Sequence, residues 1–272
     1  MHSLNFTRTR AAKALKAFTV IELIAVAAVL ALIACLAVPL LAASRPSNHA
    51  LQCLNNMRQL AAAWQMYATD NRDRLVYNAD GLTTSSGKRS WAGGPSYYTN
   101  DAILIEHDRY PNNAFLGPYT KTASIYNCPA DSPMDRVAGL LIPRIRSVSM
   151  NNNVGESSSS LASSRYRLYR KLTDFRSFSR IFVFADESEG SVDDSVFMTN
   201  PETPYNIMDV PADRHVNGGT FSFTDGHSEV HHWVDPRTVI HLKQGQILPL
   251  NRVLPGDPDV TWIQQHASEP RY

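Results

Sequence analysis

Three groups of residues carry side chains that could do chemistry. The first is Asp186-Glu187-Ser188-Glu189-Gly190-Ser191-Val192-Asp193-Asp194, five carboxylates within nine residues. Clustered hard oxygens on a loop suit a cation such as calcium, although the spacing does not match an EF-hand. A solvated acidic loop accounts for the same residues. In the second group, His227, Glu229 and His231 alternate, so a strand would set all three on one face as a transition-metal set requires. The third is His215 followed, after nine residues, by Asp225-Gly226. His215 and Asp225 stand at opposite ends of a strand, too far apart to share one ion. Their expected work is structural: Asp225 and Gly226 form a turn, and His215 hydrogen-bonds to lock the meander. Nothing supplies a nucleophile with an oriented base, or a glycine loop for phosphate. The chain is therefore expected not to be an enzyme and to need no cofactor, with calcium at Asp186, Glu187, Glu189, Asp193 and Asp194 the one candidate.

The elements that must position these residues are legible in part. Residues 180–185 (Arg-Ile-Phe-Val-Phe-Ala) form a short apolar run of β-branched and aromatic residues, which predicts a buried strand just before the acidic loop. Asn217-Gly218 and Asp225-Gly226 are turn dipeptides around an alternating segment, so residues 217–233 read as a meander with Phe221 and Phe223 on one face. Alternation over 145–153 predicts another strand, and the serines of 157–164 a loop. Residues 81–100, rich in Gly, Ser, Thr and Tyr, read as a surface loop anchored by Trp91, and 251–272 as an irregular tail with Thr261-Trp262-Ile263 docking.

Upstream, apolar residues recur at Ala50, Cys53/Leu54, Met57, Leu60/Ala61, Trp64 and Tyr67/Ala68, the spacing of an amphipathic helix with one buried stripe. Ser47 or Asn48 could cap its start after Pro46, and Asn71 could end it. Before it, Leu23 to Ala43 holds no charge. Those residues would make about 32 Å of helix, enough to cross a bilayer. Arg8, Arg10, Lys13 and Lys16 precede the run with no acid among them, which keeps the N-terminus cytoplasmic. One carboxylate, Glu22, sits at the apolar edge, where an ionisable group is costly without a partner. An ordinary secretory signal competes for this segment, but its apolar core is typically about 7–15 residues, and only Ala42-Ala43-Ser44 approaches a cleavage site.

The basic leader ending in Ala17, then Phe18-Thr19-Val20-Ile21-Glu22-Leu23 and the apolar run, resembles the prepilin N-terminus of type IV pilins and type II secretion pseudopilins. Family members more often carry Gly where Ala17 stands. The resemblance implies cleavage between Ala17 and Phe18 by a membrane prepilin peptidase, N-methylation of Phe18, and an assembly role for Glu22. Inside a bundle of apolar helices, that carboxylate could pair with a neighbour's new α-ammonium and fix the axial register. Pro39 matches another pilin habit and should bend the helix, since it lacks an N–H and clashes with the carbonyl of Cys35. His215, Asp225 and Gly226 likewise resemble the fixed positions of the His-x9-Asp-Gly segment of bacterial prepilin-like proteins. Cys53–Leu60, Gln65–Asn71, Ser147–Asn151 and Arg180–Asp194 are similar to that group as well. Type II secretion pseudopilins often hold calcium near their C-terminus.

The expected fold is α+β: a long N-terminal helix packed through its second half on an antiparallel sheet. Residues 1–17 are read as leader, 18–43 as the transmembrane and assembly half of the helix, 44–72 as its amphipathic half, and 73–272 as a periplasmic β-rich domain. The formal charge of +1 becomes −3 once the four leader cations are removed, so no nucleic-acid footprint is visible. In an oxidising periplasm Cys53 and Cys128 could bridge or could remain two buried thiols. The function implied is structural, a subunit that waits in the inner membrane and then enters a periplasmic or surface filament. Its partners would be copies of itself, the prepilin peptidase and an inner-membrane assembly platform. The alternative is a membrane-tethered periplasmic enzyme or ligand- or metal-binding domain with a prepilin-type anchor.

Overall fold

The computed structural model describes residues 20–30, 45–79, 89–93, 102–131, 134–137, 140–156, 165–240, 249 and 251–272. The Ala17–Phe18 junction, Pro39, Cys35 and most of the predicted 81–100 loop lie outside them. The chain divides into two units, Met1–Arg45 and Pro46–Tyr272. In the first, residues 20–30 form a helix, α1, exposed at every position. Its apolar side chains, among them Val20, Ile21, Leu23 and Ile24, are 54–75% accessible. Among the described residues no helix is long and apolar enough to cross a membrane.

The second unit opens with helix α2 (Arg45–Asp70). The predicted stripe is its buried face: Cys53, Met57, Leu60, Ala61, Trp64 and Ala68 are at most 1% exposed. Pro46 does not precede the helix as expected but falls in its first turn, where the missing N–H costs nothing. At the other end the Asn71 side chain donates to the Tyr67 carbonyl at 2.7 Å, and Arg72 and Asp73 turn to positive φ.

Strands β1 (Met134–Val137) and β2 (Leu140–Pro143) pair antiparallel, and β6 (Asn206–Ile207) pairs with β9 (Arg252–Val253). The main sheet comprises β3 (Val148–Asn151), β4 (Phe182–Asp186), β5 (Val196–Phe197), β7 (Gly218–Phe223) and β8 (Ser228–His232), in the order β5-β3-β4-β7-β8. It is mixed, not purely antiparallel, because β3 and β5 run parallel. Central β4 is buried at all five positions, as its apolar run predicted. It carries a register shift against β7 between Phe182 and Phe184. Val183 and Phe184 consequently join the core beneath α2, while Phe182 and Ala185 join the core on the other face. Strand β3 is shorter than the predicted 145–153 and buried throughout instead of alternating. Its Asn151 remains satisfied by donating to the carbonyls of Phe182 and Ala267, both at 2.9 Å.

Strand β7 sorts its side chains by face. Thr220 meets Cys53 on the α2 side, whereas Phe221 and Phe223 enter the second core. That second core is closed by a helix where an irregular tail was expected, α3 (Pro258–Ala267). Asp257 caps it, accepting from the amides of Asp259 and Val260, and Pro258 occupies the first turn. Val260, Ile263 and Ala267 form its buried stripe, and Trp262 packs edge-on to Phe221 with ring centroids 5.0 Å apart, so the predicted docking around residue 262 does occur. Asp257 also takes the Thr238 hydroxyl. Asp257→Ala is therefore expected to cost about 1–2 kcal/mol. Urea unfolding monitored by tryptophan fluorescence checks this, and an unshifted midpoint would refute the cap.

Candidate metal centre

The functional groups converge at a place none of the three sequence groups indicated. Four segments meet between α2 and the sheet. Cys53 comes from the buried stripe of α2 and Cys128 from the Asn127-Cys128-Pro129 turn after a 3-10 turn at Ser124–Tyr126. Asp186 is the last residue of β4, and His215 precedes the turn into β7. One ligand atom from each lies within 4.8 Å of the others, and all four residues are buried. Among the described residues no other group of three or more His, Cys, Asp or Glu side chains comes together in this way.

The surroundings hold each donor in place. Cys53 Sγ lies 3.1 Å from Thr220 Oγ1, and Cys128 Sγ lies 3.2 Å from His215 Nε2. The Cys128 amide donates to Ser147 Oγ at 2.9 Å, and that hydroxyl donates to Asp186 Oδ1 at 2.8 Å. Arg214 Nη1 donates to the same oxygen at 2.9 Å. The other oxygen, Oδ2, is buried with no hydrogen-bond partner. Arg214 also forks to Asp131 at 2.6 Å, and Arg144 meets Asp131 at 3.0 Å, so a buried ion network flanks the cluster.

Burial would lower Arg214, but the Asp186 and Asp131 carboxylates outweigh it and raise its pKa. For Asp131, burial outweighs both guanidiniums and brings the carboxyl to about 6. The close contact of the guanidinium with Asp131 makes the two an ion pair. The hydrogen bond to Cys53, then burial, pushes the Cys128 thiol up. For His215, burial opposes the charge, but contact with Cys128 leaves the imidazole above its ordinary range.

No protein-family model, curated protein or solved structure matches this chain.

The predicted groups fare differently. Asp225 and Gly226 do form the β7–β8 turn: Gly226 has φ +92° and its amide donates to the Phe223 carbonyl at 2.9 Å. His215 hydrogen-bonds to the meander through its amide, which donates to the Gly218 carbonyl at 3.2 Å, while its ring reaches across to Cys128. Cys53 and Cys128 are free buried thiols.

The five carboxylates of the acidic segment do not all converge: Glu187, Asp193 and Asp194 gather around the buried Arg146, whereas Asp186 and Glu189 turn to Arg214 and Arg144. Successive residues leaving a strand point to opposite sides, which sends Asp186 to Arg214 and buries Glu187 elsewhere. Burial, then the Asp209 carboxylate, pushes Glu187 well above the ordinary carboxylate range. Glu189 is half exposed beside Arg144, while Asp193 and Asp194 accept from the amides of Asp194 and Val196. Among the described residues these carboxylates do not come together as a metal-ligating group.

Of His227, Glu229 and His231, the first two stay together, with His227 Nε2 4.0 Å from a Glu229 carboxylate oxygen, and only His231 is drawn away. His227 stacks on Phe223 and its Nδ1 meets Asp225 at 2.5 Å, whereas His231 turns to Asp259 and stacks on Trp262 at 3.9 Å. No spacing in the sequence links His215 to the two cysteines. The usable signal was two cysteines, a histidine and an aspartate, each predicted beside a buried element.

His231 of β8 stacks on Trp262 of α3 and so holds the helix to the strand, and His266 stacks on the same indole from within α3. Burial is the leading cause that lowers both imidazoles, outweighing Asp259 and Glu229 for His231 and reinforced by Arg180 for His266. The folded state thus binds these protons less well than the unfolded chain. Stability is full above the ordinary histidine range near 6.5 and falls as pH drops below it. Asp131, Glu187 and His215, all raised, act in the opposite sense over the same range, so the readout is the difference between proteins: lowering the pH from 7 to 5 should favour His266→Gln relative to wild type in thermal midpoint, and an identical pH profile refutes it.

Proposed function

We propose that this chain is a structural subunit of a pilus-like filament, similar to pseudopilins, that a prepilin peptidase cuts between Ala17 and Phe18 before Phe18 is N-methylated. The observation that carries this reading is the apolar segment. Val20, Ile21, Leu23 and Ile24 are exposed on α1 with Glu22 among them, a basic leader precedes them, and the charge-free run continues to Ala43. Water is a poor environment for such a stretch, and a bilayer followed by sister helices is a good one. The finer fold follows from this reading: one N-terminal helix, its first half in the membrane or filament core, its second half, α2, seated on the sheet.

The partners are further copies of the chain, the peptidase and an inner-membrane assembly platform, with the globular unit in the periplasm. The test is the mass of the exported N-terminus in wild-type and peptidase-deficient cells, with filaments imaged by an antibody to the domain. Loss of residues 1–17, a methyl on Phe18 and labelled filaments are expected. A retained leader, or a cut beyond Ala43, overturns the reading. The buried Cys-Cys-Asp-His cluster favours one rival, a tethered metal-binding domain. A methylated Phe18 without polymer would select it.

A further inference from the structure

We infer that Cys53, Cys128, Asp186 and His215 hold a structural Zn2+ ion that staples helix α2 to the sheet. The donor set is one that zinc takes in closed tetrahedral sites: two thiolates, one imidazole and one carboxylate. Bond lengths of about 2.3 Å to sulfur and about 2.0–2.2 Å to nitrogen and oxygen imply tetrahedral edges of about 3.3–3.8 Å. The four ligand atoms already lie within 4.8 Å of one another, so the ion needs adjustments of side chains and not of the fold.

The second observation is the orphaned Asp186 Oδ2. Ser147 and Arg214 both bind Oδ1 and fix the carboxylate, leaving Oδ2 buried with lone pairs that nothing in the protein uses. A Cys53–Cys128 disulfide would tie up the sulfurs but leave that oxygen and His215 Nε2 unsatisfied, whereas one cation satisfies all four donors. Charge agrees. Zn2+ with two thiolates and one carboxylate carries −1, and the Arg214 guanidinium beside Asp186 offsets it. Binding releases the two thiol protons to solvent and changes no oxidation state. With every donor buried and no open position, the site is built for cross-linking rather than catalysis. This inference does not rest on the filament reading, and either can fail without the other.

The experiment uses the full-length chain extracted in detergent, purified without chelator or metal-affinity resin. Elemental analysis is expected to give about one zinc per chain, and replacement by Co2+ should produce intense thiolate-to-cobalt charge-transfer absorption. Cys128→Ser and His215→Gln should each lower zinc content tenfold or more, while Cys35→Ser, in the apolar run, should leave it unchanged. The wild-type cobalt spectrum stands whether or not those variants fold. A metal-free wild-type protein that gives no thiolate–cobalt absorption, a wild-type mass lighter by two hydrogens from a Cys53–Cys128 bridge, or full zinc content in His215→Gln would overturn the assignment.

Discussion

Arg214→Leu is expected to destabilise the globular unit by about 3–5 kcal/mol, the cost of removing one partner from a buried ion pair. Its guanidinium joins Asp186 at 2.9 Å to Asp131 at 2.6 Å and also donates to the Glu187 carbonyl at 2.9 Å. Without it Asp131 retains Arg144, and Asp186 retains, among protein groups, only the Ser147 hydroxyl. Folded domains rest on about 5–15 kcal/mol, so the urea midpoint should shift by a large fraction of its value. Arg214→Lys keeps the charge, but a single ammonium cannot reproduce a planar fork that reaches two carboxylates, and it should fall between wild type and leucine. Stripping metal with a chelator should widen the difference between Arg214→Leu and wild type, because Asp186 then loses both of its cations. A leucine variant with the wild-type midpoint would show that the network contributes nothing net.

Glu22→Ala should abolish filament assembly while leaving membrane insertion intact. Insertion depends on the apolar run, which the substitution lengthens. Assembly in the proposed filament depends on each carboxylate meeting a neighbour's α-ammonium inside an apolar bundle. Removing the acid strands that ammonium, and each 1.4 kcal/mol lost per contact lowers association about tenfold. Since every subunit repeats the loss, filament yield by immunogold counting should fall well beyond tenfold with the membrane pool unchanged. Glu22→Gln separates charge from shape and should fail nearly as badly. Normal filaments from either variant would sink the pairing.

The sequence disclosed those features whose physics is local. The stripe from Cys53 to Ala68 repeats at helical spacing, and the run ending at Ala185 has the composition of a buried strand, so α2 and β4 were both legible. Turn dipeptides placed the β7–β8 hairpin for the same reason. Helix α3 was missed although Asp257-Pro258 is a cap followed by a first-turn proline, because the prolines nearby read as a polar tail. The metal cluster was illegible for a different reason. Cys128 and His215 stand 87 residues apart and meet only after α2, β4 and β7 have assembled. No spacing rule covers donors delivered by four separate elements, in contrast to two cysteines on one tight turn. The mixed character of the sheet was equally hidden, since a two-residue strand such as β5 carries too few side chains to show a period.

The outer strands of the sheet constrain how copies of this chain can polymerise. Among the described strands, β5 ends one side after two residues, and β8 ends the other with Glu229 and His232 exposed. Stubby or charged margins are poor templates for strand addition. Growth by cross-β stacking is thereby discouraged, and a fibre of this protein should give helical rather than amyloid diffraction and leave amyloid-selective dyes dark.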